Sequence, residues 1–224
     1  MNKKQIITGI VILALIIVGT IYAVNNRKTE LVAGAPEEIL TETPGTENEN
    51  TDTAEGETAT PSETQQGRIN AQKSKDTLIL GHKAYGTGDY VKALAYYQEA
   101  ATYLKNDLAY SGQFNVYMAQ GNFVAAKTAI DMAISLNPLH YEYWNAKLTL
   151  LDEKTNASYT ELKKVYDEAL AKVVLDTKVN IVLHFAGIAE KNGRTNDAVA
   201  AWRYAIELYP ANTAIYQQQI NRIQ

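Results

Sequence analysis

Apolar residues follow three different patterns along the 224-residue chain. Near the start they form one continuous run, and from residue 29 to 73 they become sparse. From residue 74 onward they return in a pattern that repeats about every 34 residues. The chain is therefore predicted to have three parts, each suited to a different environment.

The continuous run extends from Ile6 to Val24 and contains no charged residue. As a helix it would span about 28 Å, close to the roughly 30 Å hydrocarbon core of a bilayer. The alternative is a cleaved secretory signal, which requires small residues at −3 and −1 of the cut. Pairs near the end of the run, such as Ile21 and Ala23, include a bulky residue. We therefore predict a retained transmembrane helix at 6–24 within an N-terminal membrane anchor at 1–28.

The charges beside this run bear on its orientation. Lys3, Lys4 and the free amine precede it, and Arg27 and Lys28 follow it, so the positive-inside bias slightly favours a cytoplasmic N-terminus. The acidic segment that follows and the absence of cysteine both suit an extracytoplasmic location. We expect a single-pass protein whose repeat region lies outside the cytoplasm.

The second part, residues 29–73, is rich in Thr, Glu, Asn, Gly, Pro and Ala. Between 29 and 67 it carries ten acidic residues and no Lys or Arg. Such a segment buries too little apolar surface to offset the entropy of ordering it, so we predict a disordered acidic linker. A tail that binds a basic partner is the alternative, although carboxylates on a flexible chain are usually only solvated.

Composition and motifs exclude several classes of function. Without cysteine the chain has no disulfide, thiolate metal site or cysteine nucleophile. Residues 68–224 have almost balanced charge, so no nucleic acid is expected as a partner. Phosphate-binding, zinc-protease, calcium and hydrolase motifs do not occur, and His82, His140 and His184 are isolated residues in different repeats. No catalytic residue, cofactor or metal is predicted, and an enzyme is the least favoured hypothesis.

The third part shows its repeats most clearly at Gly88, Gly121 and Gly193. Each glycine is followed by Ala after five residues, a bulky residue after nine and Ala again after twelve. The alanines are Ala93, Ala126 and Ala198, then Ala100, Ala133 and Ala205; the bulky residues are Tyr97, Ile130 and Trp202. A degenerate copy fits between the last two glycines and contains Tyr143, Trp144, a turn at 155–158, Tyr166 and Ala169.

This pattern resembles the tetratricopeptide repeat, a unit of two antiparallel helices with a period of about 34 residues. The resemblance implies an all-α helical solenoid with repeats at 74–106, 107–140, 141–178 and 179–212, within 74–212. Residues 213–224 place Tyr216, Ile220 and Ile223 at helical spacing, which predicts a C-terminal capping helix. The anchored layout is similar to that of bacterial inner-membrane proteins with an outward repeat domain.

The resemblance also implies a concave groove lined by the first helix of each repeat. Fifteen positions transfer to this groove, and we call them the groove face: Lys75, Leu78, His82, Tyr85, Leu108, Ser111, Asn115, Met118, Glu142, Asn145, Thr149, Asp152, Asn180, Leu183 and Glu190. The basic residues with which some family members hold a terminal carboxylate are not reproduced, since only Lys75 is present.

The leading hypothesis is a membrane-tethered adaptor or assembly factor at the cell envelope that binds a peptide or protein in the groove. The partner cannot be identified from these residues, and the N-terminal helix would contact the lipid bilayer. A second hypothesis is a self-associating structural spacer, so homo-oligomerisation stays open.

Overall fold

The computed structural model of the chain describes residues 63–224. The predicted membrane anchor and residues 29–62 of the predicted linker lie outside the described residues. Within the described range every regular element is a helix. None of these helices is long and apolar enough to cross a membrane.

Nine α-helices follow one another in the described range. They are α1 Glu63–Gly86, α2 Tyr90–Tyr103, α3 Asp107–Ala119, α4 Phe123–Leu136, α5 Tyr141–Lys154, α6 Tyr159–Lys172, α7 Leu175–Lys191, α8 Thr195–Leu208 and α9 Thr213–Ile223, with a short 3₁₀ turn at Pro210–Asn212 before α9. Consecutive helices pack against each other, and α1 also contacts α3 while α5 contacts α7. The described chain is therefore a solenoid of four helix pairs, closed by α9.

Three of the four turns within these pairs use the same backbone geometry. Gly88, Gly121 and Gly193 have φ angles of 79°, 72° and 67°, which suit glycine because a Cβ is disfavoured there. In each turn the glycine N–H donates to the carbonyl three residues earlier, and the next N–H donates to the carbonyl five residues earlier. This is the Schellman arrangement that ends a helix. In the degenerate pair, Asn156 takes a φ of 52° between α5 and α6.

The recurrent alanines mark the closest contacts between helices. Six of them are completely buried: Ala93, Ala100, Ala126, Ala133, Ala198 and Ala205. The bulky residues between them, Tyr97, Ile130 and Trp202, are 1%, 0% and 9% exposed. The predicted repeat pattern is thus confirmed as the pattern of core packing.

Helix α1 begins earlier than the repeat division implies. Residues 63–73, which the sequence analysis assigned to the linker, form its first turns. This stretch contains Gln, Arg, Ala and Lys, which are good helix formers. Extending an existing helix also avoids the cost of nucleation, so an exposed polar extension remains helical without a core of its own. Helix α7 likewise begins at Leu175, four residues before the division at 179.

The first pair is joined to the second through the ring of Tyr97. Two helical glycines face this ring, and a Cβ on Gly81 or Gly112 would lie 2.7 Å or 2.4 Å from its nearest carbon. The Tyr97 hydroxyl lies 2.9 Å from His82 Nδ1. The aromatic ring therefore occupies a slot that exists only because both facing positions lack a side chain.

Helix α3 separates two hydrophobic clusters. Its Ala109 and Val116 are completely buried in a small cluster with residues of α1 and α2. Its Phe114 belongs to a larger cluster that continues to Ile220 in α9. The first pair consequently has its own small core, in contact with the rest of the solenoid through one side of α3.

Gly112→Ala tests the Tyr97 slot. The added Cβ would overlap the ring, so we expect the free energy of unfolding to fall by about 1 to 3 kcal/mol. Urea unfolding followed by circular dichroism measures this change. Gly187→Ala is the matched control, because a Cβ at that helical position meets no atom within 4 Å. The control should gain up to about 1 kcal/mol from helix propensity. Equal stability of Gly112→Ala and the wild type would contradict the slot.

Candidate functional site

The groove face lies on the first helices of the four pairs, α1, α3, α5 and α7. Its members differ in how much surface they offer. Five are exposed: Lys75, His82, Leu108, Asn115 and Glu142. Nine are partly buried: Tyr85, Ser111, Met118, Asn145, Thr149, Asp152, Asn180, Leu183 and Glu190. The fifteenth, Leu78, is buried.

Two groove-face positions on α1 serve the core. Leu78 is only 7% exposed and packs in the small cluster with Ala93 and Tyr97, so at this predicted groove position little side-chain surface is accessible. Tyr85 contacts the same cluster, and its ring centroid lies 5.5 Å from that of Tyr90. Among the groove-face positions on α1, only Lys75 and His82 are exposed.

Helix α3 presents one row of four groove-face residues, whose spacing of three, four and three residues follows one side of a helix. Leu108 is 51% exposed and Asn115 is exposed, whereas Ser111 and Met118 are partly buried. This row thus offers an apolar side chain and an amide at its most accessible positions.

The start of α3 is held by a carboxylate that links three helices. Asp107 accepts hydrogen bonds from Asn137 Nδ2 at 2.8 Å, after α4, and from the Tyr143 hydroxyl at 2.9 Å, on α5. Burial raises the pKa of Asp107, but these hydrogen bonds outweigh it, and the pKa lies below its usual value. Asn106 caps the helix by accepting from the Ala109 N–H at 2.7 Å.

Helices α5 and α7 are joined by side chains of the groove face. Asn145 Nδ2 donates to the carbonyl of Asn180 at 3.5 Å, and Thr149 Oγ1 lies 3.1 Å from His184 Nε2. In both contacts the partners are 35 residues apart, about one repeat period.

Further along the same helices, Asp152 accepts from Lys191 Nζ at 2.7 Å and from Asn192 Nδ2 at 3.2 Å. The Asp152 side chain is 9% exposed, whereas Lys191 is 58% exposed and its ammonium remains in contact with solvent. Together with the Asn145–Asn180 and Thr149–His184 contacts, this carboxylate joins α5 to α7. The C-terminal half of the groove face is therefore held by polar side chains.

The same helices border an open cleft of about 210 Å³, lined by Thr149, Asp152, Glu153, His184, Gly187, Ile188 and Lys191. Charges of both signs lie beside an apolar side chain and a glycine, a surface suited to several weak contacts with a polypeptide. In the described part of the chain, no group of three or more His, Asp or Glu side chains could hold a metal ion.

Burial lowers the pKa of His184. The negative charges of Asp152 and Glu153 act in the opposite direction, but the loss of solvent outweighs them. His184 is therefore neutral at pH 7, when it forms its contact with Thr149.

The sequence analysis did not include His184 or Lys191 in the groove face and treated His184 as an isolated residue. The alignment of Gly121 with Gly193 places His184 at the repeat position of Gly112, on the side that packs on the preceding pair. This position does not belong to the groove in the repeat, so the contact between Thr149 and His184 could not be predicted from the repeat phase.

Glu190 has a structural role at the end of the groove face. Its Oε1 accepts from Trp202 Nε1 at 2.8 Å, and its Oε2 accepts from an Arg222 guanidinium nitrogen. These bonds connect α7 with α8 and with the capping helix α9. Its carboxylate is thus already engaged within the chain.

Asn145 carries a polar atom that its surroundings leave unsatisfied. Its Oδ1 is enclosed and has no hydrogen-bond partner among the described residues. Turning the amide over would place this oxygen against the carbonyl of Asn180, so the orientation is well defined.

No protein-family model and no curated protein matches the sequence. Solved structures do share its arrangement. One determined for pilF of Pseudomonas aeruginosa aligns at 12% identity and a TM-score of 0.54, covering 69% of each chain. One of PilW, described as a widely conserved type IV pilus biogenesis factor, aligns at 19% identity and a TM-score of 0.50, covering 67% of this chain and 77% of its own.

The helix pairs, the repeated turns and these alignments agree. The chain has the tetratricopeptide-repeat fold. A thermophilic tetratricopeptide-repeat protein of Thermus thermophilus also aligns, at 15% identity and a TM-score of 0.36, over 67% of this chain and 98% of its own. At these identities the similarity concerns the fold.

The lowered pKa of His184 predicts a pH dependence of stability. The unfolded chain takes up a proton near the usual value of about 6.5 more readily than the folded chain does. The contribution of neutral His184 to the free energy of unfolding is thus fully present above about pH 6.5. It is lost as the pH falls toward the lower pKa of the folded state. In urea unfolding between about pH 7 and pH 5, His184→Gln should lose less stability than the wild type. Identical pH profiles would show that His184 does not contribute.

Proposed function

We propose that this chain is a membrane-tethered protein-interaction module that acts as an adaptor or assembly factor at the cell envelope. The observation that carries the proposal is the groove face, which follows the first helices of four successive pairs and leaves side chains of different chemistry accessible. The tetratricopeptide-repeat fold supports protein binding. The description of PilW as a biogenesis factor supports a role in assembly.

The ligand that best fits the groove face is an extended polypeptide segment. Leu108 offers an apolar contact on α3, and Asn115 offers both a donor and an acceptor on the same side of that helix. On α5, Asn145 places a second, partly buried amide on the groove face. Amides suit an extended backbone, because its N–H and C=O groups need partners when water is displaced.

The two halves of the groove face would contribute differently. Helices α5 and α7 are connected by hydrogen bonds and present mixed charge at the cleft, so they would orient charged side chains of the partner. Leu108 on α3 is 51% exposed, so this helix would supply the apolar anchor for the partner. We assign to these residues the binding of a partner and no catalytic step.

The double substitution Leu108→Ala and Asn115→Ala tests the groove. Both side chains are exposed, so we expect helical content and melting temperature to stay as in the wild type. Affinity for partners cross-linked in membranes and purified with the full chain should fall at least about tenfold, as when interface anchors are truncated. Quantitative mass spectrometry of the cross-linked products measures this loss.

The matched control is Val91→Ala with Gln98→Ala on α2. These residues are also exposed and also seven positions apart, but they lie on the second helix of the first pair. The control should keep every partner. If the groove variant keeps them too, or if both variants lose them equally, the groove face is not the binding surface.

The proposed tether leads to a separate prediction about topology. Protease added to cells stripped of any outer barrier should cut between residues 29 and 62 and release a folded fragment that contains 63–224. The reason is that the predicted linker is polar and joins an apolar run to a compact helical region. Immunoblotting against the C-terminus detects the fragment. Protection until the membrane is permeabilised would place the helical region on the cytoplasmic side.

A further inference from the structure

One side of α1 carries four exposed residues in a continuous row, Asp76, Ile79, Leu80 and Lys83. We call this row the α1 end surface. Ile79 is 56% exposed and Leu80 is 46% exposed, so two large apolar side chains lie in water next to each other, between an acid and a base. None of the four belongs to the groove face.

The repeat shows what normally covers this surface. When Gly88 is aligned with Gly121, the same four positions in α3 are Ala109, Gly112, Gln113 and Val116. All four are buried. Gly112 faces the Tyr97 ring and Gln113 Nε2 donates to the Tyr97 carbonyl, so this side of α3 packs on the preceding pair.

The fourth pair follows the same rule. When Gly121 is aligned with Gly193, the equivalent positions in α7 include Ile181, Phe185 and Ile188, which are 0%, 2% and 6% exposed. The α1 end surface is therefore the side on which a further pair would stack. Among the described residues no pair precedes α1.

The opposite end of the solenoid is closed. Helix α9 packs Tyr216 and Ile220 against α8, leaving them 6% and 2% exposed, and its Arg222 bonds to Glu190. Terminal units of a solenoid need such a polar outer cover to stay soluble. At the other end of the described residues, α1 leaves two adjacent apolar side chains exposed on its outer side.

The pattern of the α1 end surface is complementary to itself. An antiparallel pair of α1 helices, related by a two-fold axis through the midpoint of residues 79 and 80, would place Ile79 of one copy opposite Leu80 of the other. The same axis places Asp76 of each copy opposite Lys83 of the other. A two-fold interface requires this relation, in which residue i meets j and j meets i.

We propose that the α1 end surface is a homodimer interface, with a second copy of this chain as its occupant. The four apolar side chains form the centre, and the two Asp76–Lys83 pairs at the rim set the antiparallel orientation. Gln72 Nε2 donates to Asp76 Oδ1 at 2.7 Å and so holds that carboxylate on the same side of the helix. Because one helix contributes most of the contact, the dimer is weak and concentration-dependent.

Charge reversal separates this interface from a general apolar surface. In the full chain in detergent, Asp76→Lys should make both rim pairs repulsive and weaken dimerisation at least about tenfold. The double variant Asp76→Lys with Lys83→Asp should restore it. Glu168→Lys, an identical charge change on the exposed side of α6, is the control and should dimerise as the wild type does. Sedimentation velocity over a range of concentrations measures the monomer–dimer equilibrium.

Cysteine cross-linking tests the register, and the cysteine-free chain provides a clean background. Residues 76 and 83 of one helix are about 10.5 Å apart, beyond the roughly 7 Å that a disulfide spans. Asp76→Cys with Lys83→Cys should therefore oxidise only between chains and give a closed dimer, while each single variant gives little disulfide-linked dimer.

Three outcomes overturn the proposal. The first is that the full chain stays monomeric at every concentration. This result would count against the dimer whether solvent or the chain's own residues 1–62 cover the α1 end surface. The charge-swapped double variant fails to recover. The double-cysteine variant forms long multimers, which would indicate that the end of one copy meets α9 of the next. Partner binding at the groove face would survive each of these results, since it uses other residues.

Discussion

The position of the first helix pair depends on one aromatic ring in a slot made by two glycines. Tyr97 is 1% exposed, and no side chain at Gly81 or Gly112 could share its space. Its hydroxyl reaches His82, an exposed residue of the groove face. Packing between the first two pairs therefore also positions a residue of the groove face, so the core and the groove face cannot be altered independently here.

A solenoid buries its apolar surface only between neighbouring pairs, so each end must be covered in another way. In this chain the C-terminal end is covered by α9, whereas α1 exposes Ile79 and Leu80. The groove face shows a similar asymmetry. Its α5–α7 half is connected by hydrogen bonds such as Thr149–His184, and its α3 half leaves Leu108 open. The two ends of the described solenoid and the two halves of the groove face therefore differ in how their apolar side chains are covered.

The glycine, alanine and bulky positions could be predicted from sequence because the same turn and packing requirements recur in three of the four pairs. Individual groove positions were harder to predict. Leu78 occupies the same repeat position as Ser111, at the border between core and groove, and an apolar side chain there turns inward. His184 was missed because it occupies the repeat position of Gly112, which packs on the preceding pair and does not belong to the predicted groove. The start of α1 was missed because a polar helical extension carries no apolar pattern.

The division of the core at α3 has a consequence for mechanics. Force that reaches the described region through residue 63 acts first on α1, whose apolar contacts lie in the small cluster with α2 and one side of α3. The larger cluster begins at Phe114 and shares none of those buried residues. The first pair can therefore open as a cooperative unit of low stability while the remaining pairs stay folded. If the proposed tether transmits force, the first pair would open before the C-terminal half of the groove face is disturbed.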